Sequence, residues 1–331
     1  MKIKQGFVDT KVISLGIGLT NRCNLNCPHC YSRPMQQNDL AFSDIKTILK
    51  KFPNLKKVNF GTGESILNKD FIKIMELFRE HDIQMALTTN GLTINQLDDK
   101  HLAWFKDVDV SLDFPSAKLH DQWRGKPGLF RIAIEGIKRC KKMGIDISIA
   151  LCLMNHNYRY LPEFKKLIDC HGIFLRINLF KPTDSKKFLL NYKQFWEATK
   201  ILADNFKLVS NSEPILSIVT RDKVKGSPCG NSLRIHPNMV ASACVYLDGQ
   251  HISVDDFRKQ KEAVPEFCRT CKFVESCRGG CLGRRYLTSG AEQPDIYCPL
   301  VKGEAVPKIK FQRAKEKEFI HSGYLCTIIV K

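Results

Sequence analysis

The chain has 331 residues and a formal net charge of +18 at pH 7, because 52 lysines and arginines outnumber 34 aspartates and glutamates. Hydrophobic residues make up 43% of it, which excludes a disordered chain and provides for a sizeable core. The apolar run at residues 12–19 is too short to span a membrane, and no small-residue cleavage site follows it. We therefore predict a cytoplasmic protein without a membrane segment.

The basic charge and the 14 cysteines each favour some classes of partner over others. The charge would attract polyanions or an acidic substrate. The lysines are spread along the whole chain, however, so a solvated surface is the alternative, and we expect no nucleic-acid partner. A disulfide scaffold is excluded, because the chain is long, lacks an export signal and groups its thiols at metal-ligand spacings.

Short apolar segments alternate with amphipathic stretches between residues 11 and about 215, a pattern typical of parallel α/β proteins. The fold class is therefore α/β, with a partial (β/α)6 barrel at residues 11–215 after a tail at residues 1–10. We predict strands at residues 12–19, 57–60, 83–89, 108–113, 145–154 and 174–180, and helices at residues 43–51, 70–81, 129–143, 161–171 and 192–205.

Alternate positions within the predicted strands are small or polar. Gly16 and Gly18 lie on one face of the first strand, and Thr88, Asp109 and Ser148 occupy such positions in later strands. Barrels usually fill their interior with bulky branched side chains. A small, polar inner face therefore predicts a lumen that is kept open for a ligand.

Three cysteines, Cys23, Cys27 and Cys30, follow the first strand. Three close thiols can hold three irons of a [4Fe–4S] cluster and leave the fourth open, since four thiolates are the usual complement. A zinc knuckle is the alternative, although zinc needs a fourth ligand. The spacing C-x3-C-x2-C, with His29 before the last cysteine, resembles the signature of radical S-adenosylmethionine (SAM) enzymes. The resemblance implies that His29 lies at the cofactor site, that SAM chelates the open iron, and that SAM is cleaved reductively to a 5′-deoxyadenosyl radical.

The second strand is followed by a glycine motif, Gly61-Thr62-Gly63-Glu64-Ser65. It resembles the Gly-Gly-Glu-Pro motif of radical SAM enzymes, which implies that Thr62, Gly63 and Glu64 line the site of the SAM amino group. Thr62 stands where glycine is common and Ser65 where proline is common. A glycine-rich strand-to-helix turn without a ligand is the alternative.

The third and fourth strands end in Thr-Asn-Gly and Ser-Leu-Asp, stretches that face SAM in the same family. The resemblance implies cofactor-binding roles for Asn90, Ser111 and Asp113. Their placement agrees with barrels, in which active-site groups come from the C-terminal ends of strands. Residues 118–128, which include Arg124, also resemble the family, but we predict only a loop near the site.

Cys152 falls on the same face of the fifth strand as Ser148 and Ala150. A thiol at this position could donate a hydrogen atom to a substrate radical, as epimerases of this superfamily require. The alternative is a small buried hydrophobic residue, because unpaired cysteines commonly pack in that way.

The C-terminal third of the chain is rich in cysteines, with a C-x2-C-x5-C-x3-C run and flanking single cysteines. The pattern resembles the seven-cysteine SPASM domain, which carries two auxiliary [4Fe–4S] clusters and which we place at residues 216–300. A double zinc site is the alternative. The resemblance assigns the outer cluster to Cys268, Cys271, Cys277 and Cys298, and the inner cluster to Cys229, Cys244 and Cys281.

The inner cluster is one thiol short of four ligands. We expect its fourth iron to be open or exchangeable, so that it binds substrate or accepts an electron, with His236 or Cys326 as alternative fourth ligands. Residues 301–331 contain a basic stretch at 308–317, which we predict to be helical, and an apolar run at 324–330. We interpret them as a docking segment.

The resemblance implies an enzyme with SAM and three [4Fe–4S] clusters, supplied with electrons by a flavodoxin- or ferredoxin-type donor. Peptide-modifying members often carry an N-terminal recognition domain of about 80 residues, whereas about ten residues precede the first strand here. We predict modification of a peptide by crosslinking, thioether formation or epimerisation, with recognition by a separate protein where it is needed. The alternatives are dehydrogenation or epimerisation of an aminoglycoside- or sugar-type molecule, and a relative that only binds.

Overall fold

The computed structural model describes residues 9–32, 36–220, 233–247, 253–315 and 326–331. The chain divides into two compact units. The first contains Met1–Ala150, Asn231–Val254 and His321–Tyr324, and the second contains Leu151–Gly230, Asp255–Ile320 and Leu325–Lys331. This division by packing differs from the boundaries expected near residues 215 and 300, which stay predictions.

The described residues form strands and helices that agree closely with the sequence pattern. The strands are β1 Ser14–Ile17, β2 Lys57–Phe60, β3 Gln84–Thr89, β4 Phe105–Ser111, β5 Asp146–Leu153, β6 Phe174–Leu179, β7 Lys207–Asn211, β8 Leu233–Ile235, β9 Ala241–Ser242, β10 Gln312–Arg313 and β11 Thr327–Val330. The α-helices are α1 Phe42–Lys51, α2 Phe71–Glu80, α3 Leu92–Gln96, α4 Asp99–Leu102, α5 Ala117–Arg124, α6 Leu129–Lys142, α7 Leu161–His171, α8 Tyr192–Asn205, α9 Ser217–Thr220, α10 Val254–Glu262, α11 Val274–Cys277 and α12 Leu282–Thr288.

In the first unit the strands β1 to β5 pair side by side in chain order, and every pair is parallel. β8 adds a parallel neighbour to the free side of β1, and β9 pairs antiparallel with β8. Between the strands, helices such as α6 bury one apolar face that includes Ala133, Ile137 and Cys140. The mostly parallel sheet confirms the predicted α/β fold class.

The register places the polar positions of neighbouring strands at the same level. Thr88 pairs with Asp109, and Asp109 pairs with Ser148, whose hydroxyl donates a hydrogen bond to the Asp109 carboxylate. Asn59, which the sequence pattern did not reveal, pairs with Gly16 and is fully buried. The predicted small and polar face is therefore present in the first unit.

In the second unit the end of the chain forms a sheet with segments that are distant in sequence. β11 lies between β6 and β7 and pairs antiparallel with both, and all four of its residues are buried. β7 was not predicted. The prediction of a helix at residues 308–317 is wrong for the described part up to residue 315, because Gln312 and Arg313 use their backbone groups to pair with β7. Among the residues described, every helix is too short or too polar to cross a bilayer.

Candidate active site

The loop that follows β1 carries Cys23, Cys27 and Cys30. Cys23 is exposed and the other two are half-buried, and the Cys30 amide donates a hydrogen bond of 3.2 Å to the Cys27 carbonyl. The pKa of Cys27 is raised to about 11, mainly by burial, and Asp113 and the thiols of Cys30 and Cys23 contribute to this rise. The three predicted ligands therefore lie within electrostatic range of one another. Within the described ranges, no group of three or more potential ligands is drawn tightly enough to hold a single metal ion.

The glycine motif after β2 packs directly against this cysteine loop. Thr62 has φ of 90° and Gly63 has φ of 61°, a left-handed backbone that side chains disfavour. A Cβ added at Gly63 would lie 2.4 Å from the Arg22 carbonyl oxygen, so only glycine fits there. The Glu64 amide donates to the same carbonyl at 2.9 Å, and the Thr62 and Tyr31 hydroxyls are 3.0 Å apart. The structure thus brings Thr62 and Gly63 to the cysteine loop.

Glu64 is 1% exposed, and its carboxylate is occupied by donors of the turn after β3. The backbone amides of Asn90 and Thr93 each donate to it at 2.9 Å. The hydroxyls of Thr89 and Thr93 donate to it as well. These hydrogen bonds satisfy a buried carboxylate and hold the β3 turn. The contact of Glu64 with the SAM amino group stays a prediction.

Asn90 links that turn to the cysteine loop. Its side-chain amide donates to the Asn24 side chain at 2.8 Å and lies 3.7 Å from the Cys23 sulfur. The side-chain oxygen of Asn90, Oδ1, accepts from the Leu92 amide at 3.0 Å, which fixes the direction of the side chain. Of the predicted cofactor residues at strand ends, Asn90 therefore lies beside a predicted cluster ligand.

Asp113 lies at the centre of a buried ion pair. It is 0% exposed and accepts from Arg124 Nε at 2.8 Å, and Arg124 itself is 8% exposed. Burial alone would raise the pKa of Asp113, but the positive charge of Arg124 holds the pKa below its usual range. Asp113 is therefore an ionised carboxylate whose contacts are with this chain rather than with solvent.

His29 connects this ion pair to the cysteine loop. The Trp123 indole donates to His29 Nδ1 at 2.9 Å, so the ring proton sits on Nε2, which lies 3.3 Å from the Asp113 carboxylate. Burial lowers the pKa of His29, so the contact with Asp113 is a hydrogen bond of a neutral ring. The predicted site residues His29 and Asp113 are therefore neighbours.

His120 and Arg124, on helix α5, complete this cluster, which we name the Asp113 network and define as His29, Asp113, His120, Trp123 and Arg124. His120 Nδ1 accepts from the Asp113 amide at 3.2 Å, and burial followed by the charge of Arg124 lowers the pKa of His120 to about 3. The positive charge of Arg124 also lowers the pKa of Cys27 and of Cys23, although burial outweighs it in both. Arg124 is thus a buried cation beside the thiols.

Four cysteines of the second unit line one small apolar cavity together with aromatic and aliphatic side chains such as Phe273 and Val274. These are the cysteines predicted to hold the outer cluster, Cys268, Cys271, Cys277 and Cys298. The pKa of Cys268 is raised to about 11, mainly by burial, and the thiols of Cys298 and Cys271 contribute to this rise.

Comparison with known proteins finds a family match around the first of these sites. Residues 17–168, which contain the cysteine loop, the glycine motif and the Asp113 network, match the Radical SAM superfamily. This part of the chain is a radical SAM domain. The chain is 26% identical to mycofactocin maturase MftC of Mycobacterium ulcerans, over 89% of each chain. It is 25% identical to MftC of Mycolicibacterium smegmatis, over 90% of this chain and 85% of that one.

Two solved structures share the fold. Native anSMEcpe with bound AdoMet and Cp18Cys peptide gives a TM-score of 0.67 at 20% identity, covering 87% of this chain and 94% of that chain. Streptococcus suis SuiB bound to S-adenosylmethionine gives a TM-score of 0.65 at 14% identity, covering 87% of this chain and 77% of that chain. These two structures confirm the fold class that the sequence predicts.

The cysteine loop fits the cluster that a radical SAM enzyme requires. Three thiols on one loop leave a fourth iron for SAM, and a buried cation, Arg124, stands beside two of them. For the other predicted site residues, the structure gives a position but no contact with the cysteine loop. Ser111 ends β4, half-buried and in register with Ala150, and Cys152 is half-buried on β5. Cys229 lies outside the described residues, and Cys244 is half-buried in the first unit.

The contacts of Arg124 with Asp113 and of Trp123 with His29 were not predicted from the sequence. The sequence did contain a signal for the first contact, because the acidic Asp113 follows a strand and the basic Arg124 ends the next helix. Gly125 has φ of 71° and ends helix α5 there, which leaves Arg124 in the last turn of that helix.

Proposed function

We propose that the chain is a radical SAM peptide maturase, which abstracts a hydrogen atom from a peptide substrate and so starts a crosslink, a thioether bond or an epimerisation. The similarity to the mycofactocin maturases carries the proposal, because it covers 89–90% of the chain and extends beyond residues 17–168 into the cysteine-rich region. Two structures that share the fold, anSMEcpe and SuiB, were also solved with peptides.

The SAM-binding cluster would be held by Cys23, Cys27 and Cys30. A [4Fe–4S] cluster with SAM, when bound, supplies a 5′-deoxyadenosyl radical. The chain's own residues build the surroundings. Gly63 lets the glycine motif approach the cysteine loop, and Asn90 orients the loop from the other side. Thr62, Gly63, His29 and Ser111 are the residues that we propose to line SAM, with Glu64 and Asp113 holding them in place.

The two auxiliary clusters are proposals of the same kind. We assign the outer one to Cys268, Cys271, Cys277 and Cys298, and the apolar cavity lined by all four thiols supports this assignment. The inner one takes Cys229, Cys244 and Cys281. Both would carry electrons, and an external flavodoxin- or ferredoxin-type protein would supply the reducing equivalents in the cytoplasm.

The polar face of the first unit supports binding of a polar ligand. The Asn59 amide is fully buried, and its oxygen and nitrogen have no hydrogen-bond partner among the described residues. Asp109 on β4 and Ser148 on β5 lie on the same face of the sheet, two positions further along, and β3 separates them from Asn59 on β2. Because a buried amide is costly without partners, a bound ligand is the natural acceptor and donor for Asn59. A peptide backbone offers both groups.

The test uses the anaerobically reconstituted chain with SAM, a reductant and any short peptide found encoded near its gene. We expect 5′-deoxyadenosine, with deuterium transferred into it from a labelled peptide. The peptide should lose two hydrogens on crosslinking or thioether formation, whereas an epimer should keep its mass in H₂O and gain one deuterium in D₂O. The matched control is the Cys23→Ala/Cys27→Ala/Cys30→Ala variant, which should lose about four irons and all SAM cleavage. Modification of a sugar-type amine but no peptide would favour the small-molecule alternative.

Cys152 is our candidate hydrogen-atom donor if the product is an epimer. Donation of a hydrogen atom from its thiol to a substrate radical would place one solvent hydrogen in the product, because thiols exchange with water. The thiyl radical left on Cys152 would return to the thiol by taking one electron from the external donor and one proton from water. In D₂O we expect one deuterium in the product and its loss in Cys152→Ala. Full turnover with deuterium retained in that variant would contradict the assignment and leave Cys152 as a packing residue.

A further inference from the structure

A long cationic side chain of the first unit, that of Arg234 on β8, lies on the small and polar face of the sheet. The register pairs Arg234 with Gly16 on β1, and Gly16 with Asn59 on β2, so the three residues form one row on the same face. Arg234 is 5% exposed, so its side chain lies inside the unit rather than in solvent. It belongs to none of the sequence motifs.

The Arg234 side chain runs across Gly16 of the neighbouring strand. A Cβ added at Gly16 would lie 2.9 Å from the Arg234 Cδ and 2.8 Å from its Nη1, closer than a side chain can approach. A glycine inside a strand often marks a place where another group comes close to the backbone. Here that group is the guanidinium, which occupies the space that a side chain at residue 16 would take.

The guanidinium of Arg234 binds the glycine motif. Its Nη2 donates hydrogen bonds to the Gly61 carbonyl and to the Thr62 hydroxyl. The Thr62 hydroxyl is also 3.0 Å from the Tyr31 hydroxyl, and Tyr31 directly follows Cys30 of the cysteine loop. A continuous set of polar contacts therefore leads from Arg234 through Thr62 to the cysteine loop.

The backbone of Thr62 explains why it needs such support. Its φ of 90° is uncommon for a residue with a side chain, and such conformations persist where surrounding contacts hold them. Thr62 stands where glycine is common in the motif that it resembles, so it lacks the freedom of glycine but gains a hydroxyl. Arg234 binds this hydroxyl and the preceding carbonyl at once, which fixes the backbone on both sides of the peptide group.

The other surroundings of Arg234 do not account for its burial. None of the ion pairs among the described residues includes Arg234, and its Nε has no hydrogen-bond partner in that part of the chain. Burial of a cation against neutral acceptors alone costs folding free energy. This cost favours a role of Arg234 in the site over a role in stability.

We propose that Arg234 is a positioning residue of the SAM site, which holds Gly61 and Thr62 so that the glycine motif lies against the cysteine loop. This inference rests on the proposed placement of SAM at Thr62 and Gly63. Arg234 acts through the motif and not on the reacting atoms, so it affects the binding of SAM rather than the cleavage of bound SAM. Gly16 is part of the same arrangement, because only glycine leaves room for the guanidinium.

The test compares the parent chain with Arg234→Met, each reconstituted without oxygen and studied without a peptide. Equilibrium dialysis of the oxidised, iron-loaded chain gives the Kd for SAM, and 5′-deoxyadenosine formed after reduction gives kcat at saturating SAM. We expect Arg234→Met to raise the Kd about tenfold, because hydrogen bonds from a charged group are lost. The value of kcat should change less than about twofold. Arg234→Lys keeps the charge and a donor, so it should recover part of the affinity.

Two further variants separate positioning from packing. Thr62→Val removes the hydroxyl at nearly constant shape, and it should weaken binding little further in the Arg234→Met chain, because both changes break the same contact. The matched control is Arg139→Met. Arg139 also donates to backbone carbonyls of the first unit, those of Ile94 and Leu97, and its loss should leave the Kd for SAM unchanged.

An iron-loaded Arg234→Met chain with the Kd of the parent would overturn the proposal. Gly16→Ala decides the question should Arg234→Met not fold or not hold iron. Its added methyl group displaces the guanidinium without removing it, so the Kd should rise in this variant too, and an unchanged Kd would contradict the positioning role. None of these measurements needs a peptide, so failure here and failure of the peptide assay are distinguishable.

Discussion

The cysteine loop of the first unit and the cysteine cavity of the second place their thiols by different means. The loop leaves Cys23 exposed and is braced by polar contacts from Asn90, from Glu64 through the β3 turn, and from the Asp113 network. The cavity has apolar walls, with Cys268 and Cys277 buried between side chains such as Phe273.

The proposed function accounts for this difference. A site that receives SAM needs an accessible face, so its geometry cannot come from burial of the ligands and must come from fixed hydrogen bonds behind them. A cluster that only passes electrons benefits from exclusion of water, and apolar packing is then sufficient. Removal of a buried charge should therefore destabilise the cysteine loop. Truncation of an apolar side chain that lines the cysteine cavity should expose its thiols to water.

Removal of Arg124 should have the largest effect on stability. Arg124→Leu leaves the Asp113 carboxylate buried without its cation, which we expect to cost about 3–5 kcal/mol in the free energy of unfolding. Chemical denaturation of the iron-free chain measures it. The iron content of the cysteine loop should also fall, because Asp113, the hydrogen-bond partner of His29, is no longer held by Arg124.

The matched control for this variant is Arg131→Leu. The Arg131 side chain is 79% exposed and lies 4.0 Å from Glu135, so its loss should cost less than about 1 kcal/mol. Equal losses in the two variants would show that the Asp113–Arg124 pair does not brace the loop.

The cysteines that the structure brings together within each unit could be grouped from the sequence, because they are close together in the chain. Cys23, Cys27 and Cys30 share one loop, and six of the eleven strands in the described part of the chain followed from short apolar runs. The predicted small and polar face is a consequence of alternation alone, since a strand's side chains point to opposite faces.

Contacts between segments that are distant in sequence were harder to predict. β11 pairs with β6 and β7, and no local pattern shows where such a strand inserts. The donors around Glu64 were not predicted either, because a motif position does not reveal which groups surround a carboxylate. The left-handed Thr62 and Gly63 bring Glu64 to the β3 turn, where the amides of residues 90 and 93 donate to it.

Acidification should destabilise the folded chain through His120, which belongs to the Asp113 network. Its pKa is about 3 in the folded chain because of burial, against about 6.5 when unfolded, so below pH 6.5 the unfolded chain takes up a proton that the folded chain refuses. Stability is thus lost as the pH falls from 6.5 towards 3, by about 2 kcal/mol at pH 5.

The variant His120→Asn keeps an acceptor for the Asp113 amide but cannot titrate. Denaturation midpoints measured between pH 7 and pH 5 should fall less steeply in this variant than in the parent chain. Parallel curves would mean that the ring of His120 is protonated in the folded protein and that the Asp113 network tolerates a further charge.

Truncation of a side chain that lines the apolar cavity should have the smallest effect on stability. It should, however, change the rate at which a chelator extracts iron. Phe273 is half-buried at the wall of the cavity, so Phe273→Leu removes a few contacts and should cost about 1 kcal/mol. The thiols remain, so the reconstituted iron content should not change. A chelator should nevertheless extract auxiliary iron faster, because water reaches the thiolates, whereas Phe42→Leu in the first unit should leave that rate unaltered. Equal extraction rates in both variants would show that the wall does not protect the cluster.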